Sequence, residues 1–435
     1  MNFRVFVLLR KSQIFLFIRE MRTLSISGSD VAGKILLVVF AIVASACTGQ
    51  AQRRTSIPEP APAVTTPLAR PAPVVTDTAT TPIATGSPKE GSTGKQSAPL
   101  ANEPDKLVPH IALLLPLASK TFGKVADALK LGFVAGAEAD GKDAPPYRIY
   151  SANDEGASLA AQYRKAVAGG AVAIIGGVTR DGANVIARES RFLPTLALNA
   201  PVTANDNDLP DRFFYISLSL DIEARLVARM LSGEGLRGVA LVVANNPLAK
   251  RVQDSFEKEW LRLGGESVAN ISFGGDPNDA TRIAAAMEKL GAKAEAVFLA
   301  ADPAGARFVR PYLPAGMPVF ATSHSVDPRA AAVANLDLEN VRFLEMPWFA
   351  EPDHPAVMAY AKPAQTLAVE VERLYALGID AWRLSQLIAR IDDARKLPPL
   401  DGVTGRIIAD GHQLTRVLSS VEIRDGKPQL YRRSE

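Results

Sequence analysis

Apolar runs and amphipathic stretches alternate along residues 110–217. The first run, residues 111–117, is continuously apolar, which is typical of a strand buried on both faces of a parallel sheet. Val125, Leu129 and Phe133 then recur at helical spacing. The same patterns predict strands at 147–150, 171–175 and 194–198, and helices at 159–167 and 181–190. Strands that alternate with helices across short loops predict βαβ units and a doubly wound sheet.

A second series of the same kind starts after residues 213–218. Its strands are predicted at 239–243, 267–273, 296–300 and 318–321, and amphipathic helices separate most of them. A long helix is then predicted from about residue 363 to 391. The chain closes on two predicted strands, 403–409 and 414–423, which the hairpin signal of Asp410 and Gly411 joins. Two series of similar size predict an α/β fold with two Rossmann-like lobes.

The apolar run at residues 35–43 belongs to a different kind of segment. Lys34 and other basic residues precede it, and small residues follow it at 44–46, which is the layout of a secretory signal peptide with its cleavage site. The run cannot cross a bilayer, since that requires about 20 apolar residues. Cys47, the one cysteine of the chain, stands at the cleavage point. This stretch resembles the lipobox of bacterial lipoproteins, which implies that Cys47 becomes the lipid-bearing N-terminus of the mature protein.

Two neighbouring residues refine this interpretation of the signal. Thr48 follows the cysteine, and in lipoproteins a residue other than aspartate at that position implies transport to the outer membrane. Met21 with Arg22 would make an ordinary signal start, so we expect translation to begin there rather than at Met1. An ordinary signal peptide, or a helix that is not cleaved, is the alternative. We therefore assign residues 1–46 to the signal.

Residues 48–106 have a composition that no other part of the chain shares. They contain ten prolines, many Thr, Ala and Ser, and no aromatic residue. Such a segment cannot bury enough apolar surface to offset the entropy of ordering it, so we expect a disordered tether that begins at Cys47. Fully extended as polyproline II it would reach roughly 180 Å, at about 3.1 Å per residue. The tether could therefore hold a folded domain far from a membrane.

The charge of the chain changes once the signal is set aside. The full chain has 49 Lys and Arg against 46 Asp and Glu, and the predicted signal holds six of the basic and two of the acidic residues. The remaining chain has a net charge of about −1 and no block rich in Lys and Arg, so a nucleic-acid partner is not expected. No disulfide can form within a chain that has one cysteine.

The motifs that would indicate a cofactor, a metal or catalysis are weak. Gly233, Gly235 and Gly238 match a dinucleotide-binding pattern, but they follow a predicted helix and precede a strand, which is the reverse of the order that such a site needs. We interpret them as a helix end and a turn. The four histidines lie far apart, and neither a P-loop nor a nucleophile elbow is present. We therefore expect no catalytic residue, no metal site and no cofactor.

Polar residues at the ends of the predicted strands are candidates for a ligand site in a cleft. Thr179 follows two glycines at the start of a predicted helix, where free N–H groups favour an anion. Ser119 and Asn199 follow the first and fourth strands, at the edge where open α/β sheets bind ligands. Asp154 and Asp302 could supply an acid for an ammonium group. Tight turns and helix caps need the same residue types, and that alternative stays open.

The chain also resembles known families. The apolar strand at 111–117, the glycines at 176 and 177, and the two-lobe pattern are similar to the type I periplasmic-binding fold of the Leu/Ile/Val-binding class, which implies hinge crossovers between the lobes. The segments 374–384, 402–405 and 424–428 are similar to the end of penicillin-binding protein activators of the LppC/LpoA type. The resemblance covers residues 107–435. It implies a first lobe of about 107–217 plus C-terminal elements, and a second lobe of about 218–345.

The resemblance implies a function and leaves an alternative. As an activator, the protein would be a non-enzymatic lipoprotein on the periplasmic face of the outer membrane, held to the membrane through its lipid anchor alone. Its partner would be a class A penicillin-binding protein, whose peptidoglycan synthesis it stimulates. The alternative is a periplasmic solute-binding lipoprotein that takes an amino acid or similar small metabolite and delivers it to an ABC transporter. The best-known activators carry a helical-repeat domain before this fold, and here the proline-rich segment stands in that place.

Overall fold

The structure is a computed structural model that describes residues 107–202, 208–391 and 397–432. The predicted signal peptide, Cys47 and the predicted tether lie outside the described residues. Among the helices that are described, none combines the length and the apolar character that crossing a bilayer requires.

Strands and helices alternate over most of the described chain. The strands are β1 (His110–Leu115), β2 (Tyr147–Ser151), β3 (Ala171–Gly176), β4 (Thr195–Ala197), β5 (Phe213–Tyr215), β6 (Gly238–Ala244), β7 (Glu266–Phe273), β8 (Ala296–Ala300), β9 (Val319–Ala321), β10 (Val341–Glu345), β11 (Leu400–Gly402), β12 (Gly405–Asp410), β13 (Gln413–Val417), β14 (Ser419–Arg424) and β15 (Lys427–Leu430). The α-helices are α1 (Gly123–Asp140), α2 (Ala157–Ala168), α3 (Arg180–Glu189), α4 (Leu220–Gly233), α5 (Pro247–Arg262), α6 (Asp279–Leu290), α7 (Pro303–Val309), α8 (Pro347–Ala350), α9 (Pro355–Met358) and α10 (Val369–Ile388). Short 3₁₀ helices connect some of these elements.

The first sheet has the strand order β11-β12-β13-β5-β4-β3-β1-β2. Its strands from β13 to β2 pair in parallel, whereas β11, β12 and β13 form antiparallel pairs at one end. Every residue of β1 is buried, as its continuous apolar sequence predicts for a strand covered on both faces. Helices α1 and α10 cover one face, and α2 and α3 cover the other.

The second sheet has the order β15-β14-β10-β9-β8-β6-β7, and its strands from β10 to β7 are parallel. Strands β14 and β15 complete it with antiparallel pairs. Helices α4 and α5 pack on one face, and α6 and α7 pack on the other. The predicted α/β fold with two lobes is therefore confirmed.

The described chain passes between the lobes three times. It crosses at residues 216–219 after β5, again between β10 and α10, and at Leu418 between β13 and β14. Helix α10 follows the second crossing and packs on the first lobe against α1. The predicted hinge crossovers are these three segments.

Helices α1 and α10 approach each other so closely that glycine is required at their contact. A Cβ atom at Gly132 would lie 1.8 Å from the carbonyl oxygen of Tyr375, and one at Gly378 would lie 2.2 Å from that of Leu129. No side chain fits at such distances. Beside them, the ring of Trp382 meets that of Phe133 edge to face, with 5.1 Å between centroids. This contact anchors α10 to the first lobe.

Two predicted elements differ from the structure, which also contains strands that the pattern does not predict. The strand predicted at 414–423 is two strands, β13 and β14, because the chain passes from the first sheet to the second at Leu418. The helix predicted from residue 363 begins at Val369 instead. The segment before it is not helical, and the carbonyl oxygen of Leu367 accepts a hydrogen bond from Arg329 at 2.6 Å. Strand β10 was not predicted, although its residues are mostly buried.

The glycine-rich turn agrees with the sequence interpretation. Gly233 ends α4, Gly235 has a φ of 84°, and Gly238 opens β6. A positive φ is a conformation that glycine adopts without strain.

Candidate functional site

The start of α3 is where the sequence predicts an anion to bind, and a carboxylate of the chain itself lies there. Thr179 is the N-cap of α3, and its hydroxyl oxygen accepts a hydrogen bond from the N–H of Gly182 at 3.0 Å. Glu155, from the loop between β2 and α2, accepts from the Thr179 N–H at 3.1 Å and from its hydroxyl at 3.3 Å. The carboxyl group of Glu155, ionised or protonated, therefore lies at the N-terminus of α3, where an anion is expected to bind.

The side chain of Glu155 is buried in a space that its neighbours leave for it. Glu155 is buried, and a Cβ atom at position 182 would lie 1.6 Å from its Oε2 atom, so Gly182 leaves the space that the carboxyl group fills. Burial raises the pKa of Glu155 to about 7, although hydrogen bonds from Thr179 and Val178 act in the opposite direction. Its Oε1 atom is buried without a hydrogen-bond partner. Glu155 is thus held in a site that favours its neutral form below neutral pH.

The other predicted cleft residues make local contacts. The Ser119 hydroxyl accepts from the N–H of Phe122 at 3.2 Å, before α1. Asp154 is exposed and accepts from the N–H of Gly156 at 2.7 Å. Asp302 is the N-cap of α7 in the second lobe. Asn199 is the exception, because its amide donates to the carbonyl oxygen of Val178 at 3.0 Å, beside Thr179.

Thr179, Asn199 and Asp154 therefore lie in one region of the first lobe, since Asn199 bonds to Val178 and Asp154 directly precedes Glu155. Ser119 and Asp154 lie in loops of the first lobe, whereas Asp302 lies in the second. A ligand-binding role for these five residues stays a prediction. Sequence reasoning selected Asp154 and missed its neighbour Glu155, whose burial inside a loop of polar residues leaves no signal in the sequence.

A cavity of about 280 Å³ lies where the three crossing segments meet. We call it the crossover cavity, and one residue from each segment lines it: Leu218, Met346 and Leu418. Its charged and polar lining residues are Glu223, Ser323, Glu345, Glu370, Arg373 and Arg416. Most of these side chains are buried, so their charges have to be compensated within the protein.

The strongest pair in the crossover cavity joins the two lobes. Glu345 ends β10 of the second sheet, and Arg373 lies on α10, which packs on the first lobe. Arg373 donates two parallel hydrogen bonds to the Glu345 carboxylate, at 2.5 and 2.7 Å. Burial disfavours the charge of Arg373, but the charge and hydrogen bonds of Glu345 outweigh it and raise the pKa of Arg373. A bidentate buried pair of this kind fixes the relative position of its two elements.

Glu223 and Arg416 occupy the same cavity without forming an ion pair. Both oxygens of Glu223 accept hydrogen bonds from Ser323, one from its N–H and one from its hydroxyl at 3.0 Å. Burial raises the pKa of Glu223 to about 7. Burial also lowers the pKa of Arg416 to about 10, and its guanidinium donates to the carbonyl oxygen of Thr404 at 3.0 Å.

Two further contacts connect second-lobe elements to the first lobe. Glu372 on α10 accepts from Arg329 at 2.8 Å and from the indole N–H of Trp348 at 2.8 Å. Asp221 on α4 accepts from Arg180, at the start of α3, at 2.8 Å. Together with the pair of Glu345 and Arg373, they hold the lobes at several separate points.

Two of the segments that carry the family resemblance contact each other through a buried carboxylate. Asp380, on α10, accepts from the N–H groups of Val403 and Thr404 at 2.9 and 2.8 Å, and from the Thr404 hydroxyl at 2.6 Å. Burial raises its pKa, and the three hydrogen bonds oppose that shift. A Cβ atom at position 402 would lie 2.7 Å from Oδ2 of Asp380, which explains Gly402. The two segments therefore have a structural role, which spacing alone could not reveal.

The arrangement of the crossover cavity is suited to holding the lobes together. Its carboxylates and guanidinium groups are engaged with one another or with backbone groups. The described residues contain no group of three His, Cys, Asp or Glu side chains placed to hold a metal ion.

Comparison with solved structures identifies the fold. The full-length LpoA structure from Haemophilus influenzae matches with a TM-score of 0.60 and 22% identity, over 76% of this chain and 60% of that one. A structure described as a putative branched-chain amino acid ABC transporter from Chromobacterium violaceum matches with a TM-score of 0.62 and 32% identity, over 72% of this chain and 99% of that one. The predicted type I periplasmic-binding fold is confirmed.

Sequence comparison finds similarity to curated proteins that are named penicillin-binding protein activators. The penicillin-binding protein activator LpoA of Haemophilus influenzae is 27% identical over 347 residues, which are 76% of this chain and 57% of the relative. LpoA of Edwardsiella ictaluri is 27% identical over 277 residues, which are 54% of this chain and 40% of the relative. The chain thus spans about half the length of the curated relatives it matches.

A protein-family model matches most of the chain. The family model described as "LppC putative lipoprotein" matches residues 100–426, which include both lobes. The resemblance to LppC/LpoA-type proteins is confirmed, and the chain belongs to the LppC lipoprotein family.

Proposed function

We propose that this protein is a non-enzymatic lipoprotein that binds a class A penicillin-binding protein and activates its synthesis of peptidoglycan. The observation that carries the proposal is the match of the LppC family over both lobes, together with curated relatives that are penicillin-binding protein activators. The protein would act by contact with its partner and would perform no reaction of its own.

The contacts between the lobes support a role as a fixed surface. A solute receptor has to open and close around its ligand, so its lobes need a freely moving hinge. Here the buried pair of Glu345 and Arg373 joins the lobes at the crossings, and Asp221 and Arg180 join them again nearby. The Glu345–Arg373 pair is buried, whereas Arg180 is about half exposed, so the first pair in particular fixes the relative position of the lobes.

The anchor and tether make the same proposal geometrically reasonable. Lipidation of Cys47 would attach the protein to the periplasmic face of the outer membrane. Stable anchoring generally requires two acyl chains, which the modified cysteine of lipoproteins supplies. Residues 48–106 could then let the folded domain reach a synthase held in the inner membrane, across up to roughly 180 Å if fully extended.

A second candidate function is a solute receptor for an amino acid or a similar metabolite. The Chromobacterium violaceum structure favours this function. It is 32% identical to this chain, and the match covers 99% of that structure's chain. One contact argues against it. The position at the start of α3, where a ligand carboxylate would accept hydrogen bonds, is taken by Glu155. We therefore rank the activator first.

The two functions predict different partners in the cell. After cross-linking of living cells, capture of this protein should recover a class A penicillin-binding protein. Recovery of transporter subunits without any such synthase would contradict the activator proposal.

The anchor has a test of its own. The substitution Cys47→Ser removes the thiol that lipidation requires while leaving residues 107–435 unchanged. We expect the variant to lose its outer-membrane location and its support of cell-wall synthesis, and to keep its melting temperature. Unchanged location and cell-wall synthesis in the variant would contradict the anchoring step.

A further inference from the structure

The outer face of the first lobe carries two adjoining grooves separated by a ridge of arginines. One groove, of about 430 Å³, lies between α2 and the end of α3, and its lining includes Val167, Phe192 and Arg164. The second, of about 480 Å³, is lined in part by Asn184 and Leu209. Arg188 and Arg191 line both grooves. We call these two residues the arginine ridge.

The two guanidinium groups of the arginine ridge form no ion pair with the described residues, although Glu189 and Asp208 line the same grooves. Arg164 has a carboxylate of Glu189 at 3.6 Å. Among the described residues, Arg188 and Arg191 have no carboxylate within ion-pair distance, and both are exposed. Arginine is favoured where a planar group is to be recognised by several hydrogen bonds, since its five donors are held in a fixed fork. The ridge therefore offers free donors to an acidic group.

An apolar side chain projects beside this charge. Phe192 is 83% exposed, directly after Arg191, and Val167 at the groove is 44% exposed. An isolated exposed phenylalanine has no packing role in the monomer. Aromatic residues and arginine are enriched among the residues that dominate the binding energy of protein interfaces. Phe192 and the arginine ridge together have the composition of such a centre.

We propose that this face is where the synthase docks, through an acidic surface with an apolar recess that receives Phe192. The inference rests on the proposed function and adds the surface and the chemistry of the partner to it. Carboxylates of the partner would pair with Arg188 and Arg191 while the phenylalanine ring is buried between them. Complementary charge of this kind speeds association and fixes the orientation of the complex.

Two other occupants fit the face less well. A membrane surface is recognised by clusters of four to eight basic residues, whereas the ridge has two unpaired ones beside a concave groove. A second copy arranged by two-fold symmetry would place the same arginines on both sides of the contact, and like charges would repel. The acidic protein surface is the occupant that the charges favour.

The test compares variants of this face with matched variants elsewhere. The probe is the purified periplasmic portion of a class A penicillin-binding protein from the same cells, and affinity is measured with the full protein. Arg188→Glu with Arg191→Glu, and separately Phe192→Asp, should each weaken binding at least about tenfold. Lys258→Glu with Lys289→Glu, and separately Val333→Asp, change exposed residues of the second lobe in the same way, and they should leave the affinity within about twofold.

Phe192→Leu keeps an apolar side chain and should retain part of the affinity, which separates docking from misfolding. Equal binding by the wild type and every variant would overturn the inference and leave the proposed function intact. Absence of binding by the wild type would instead contradict the proposed function. If the ridge variants lost attachment to phosphatidylglycerol vesicles but bound the synthase normally, the face would be a lipid contact and the inference would be wrong.

Discussion

The crossover cavity contains a buried ion pair, whereas the charged side chains of the arginine ridge are exposed and form no ion pair with the described residues. In the cavity, Glu345 and Arg373 are buried and bind each other through two hydrogen bonds. On the ridge, Arg188 and Arg191 are exposed, without a carboxylate partner among the described residues. Buried charge has to be compensated internally, whereas exposed charge costs little and is free for another molecule.

We infer that the paired charges of the cavity stabilise the fold, whereas the exposed charges of the ridge are available to bind a partner. Changes in the cavity should affect the free energy of unfolding, because they leave a buried group unpaired. Changes on the ridge should affect binding and leave folding unaltered. Variants at three places test this division between buried and exposed charge: the cavity, the buried Glu155 and the ridge, in order of the expected effect on stability.

The largest loss is expected from Arg373→Met. This change leaves the carboxylate of Glu345 buried without its guanidinium partner, and breaking a buried pair in this way costs about 3–5 kcal/mol. Urea denaturation at neutral pH should show the loss as a lower midpoint with an unchanged slope.

The matched control for that experiment removes both charges. Arg373→Met with Glu345→Met should recover much of the lost stability, since no charge is then left unpaired. If the single substitution costs less than about 1 kcal/mol, the pair does not join the lobes as the structure indicates.

A smaller, pH-dependent effect is expected from Glu155. Its pKa in the folded protein is about 7, above its ordinary value of 4.5, so the folded state holds the proton more tightly than the unfolded state. The contribution of Glu155 to stability should therefore be fully present below pH 4.5, fall as the pH rises from 4.5 to 7, and be lost above pH 7. The change amounts to at most about 3 kcal/mol for this group.

Glu155→Gln should remove that part of the pH dependence, because an amide stays neutral throughout. Glu223, whose pKa is also about 7, would still contribute its own decrease over the same range. Unfolding measured between pH 4.5 and 8 checks this. An identical pH dependence in the variant and the wild type would contradict the burial of an uncharged Glu155.

The smallest effect on stability is expected on the ridge. Arg188→Glu with Arg191→Glu alters exposed side chains that have no carboxylate partner among the described residues. Arg188 also lies in the last turn of α3, where a basic residue is favoured, so the free energy of unfolding should fall by about 1 kcal/mol at most. Thermal unfolding at neutral pH checks this. A loss above about 2 kcal/mol would mean that the arginines stabilise the fold, and the comparison between the two regions would not hold.

The two-lobe fold could be predicted from the sequence because its signals are local. The apolar run that became β1 and the helical spacing of Val125, Leu129 and Phe133 need no knowledge of the rest of the chain. The change of lobe at Leu418 could not be predicted. The residue pattern of a strand does not indicate which sheet the strand joins. It therefore predicts a single strand at 414–423, where the structure has β13 and β14.

The site was harder to predict because it depends on distant contacts. The residue pattern places Thr179 at the start of a helix, as the structure does, but it does not indicate the contact with Glu155, 24 residues away. Arg373 and Glu345 are separated by 28 residues and come from different lobes. Glutamate and arginine are usually solvated, so nothing in the residue pattern indicates that this pair is buried.

The proposed activation is tested most directly by titrating the purified protein into a peptidoglycan-synthesis assay of a class A penicillin-binding protein. We predict a rate that rises with concentration and saturates, and no change in the melting temperature of the protein with amino acids. A constant rate throughout the titration, together with a large saturable stabilisation by an amino acid, would contradict the account and identify a solute receptor instead.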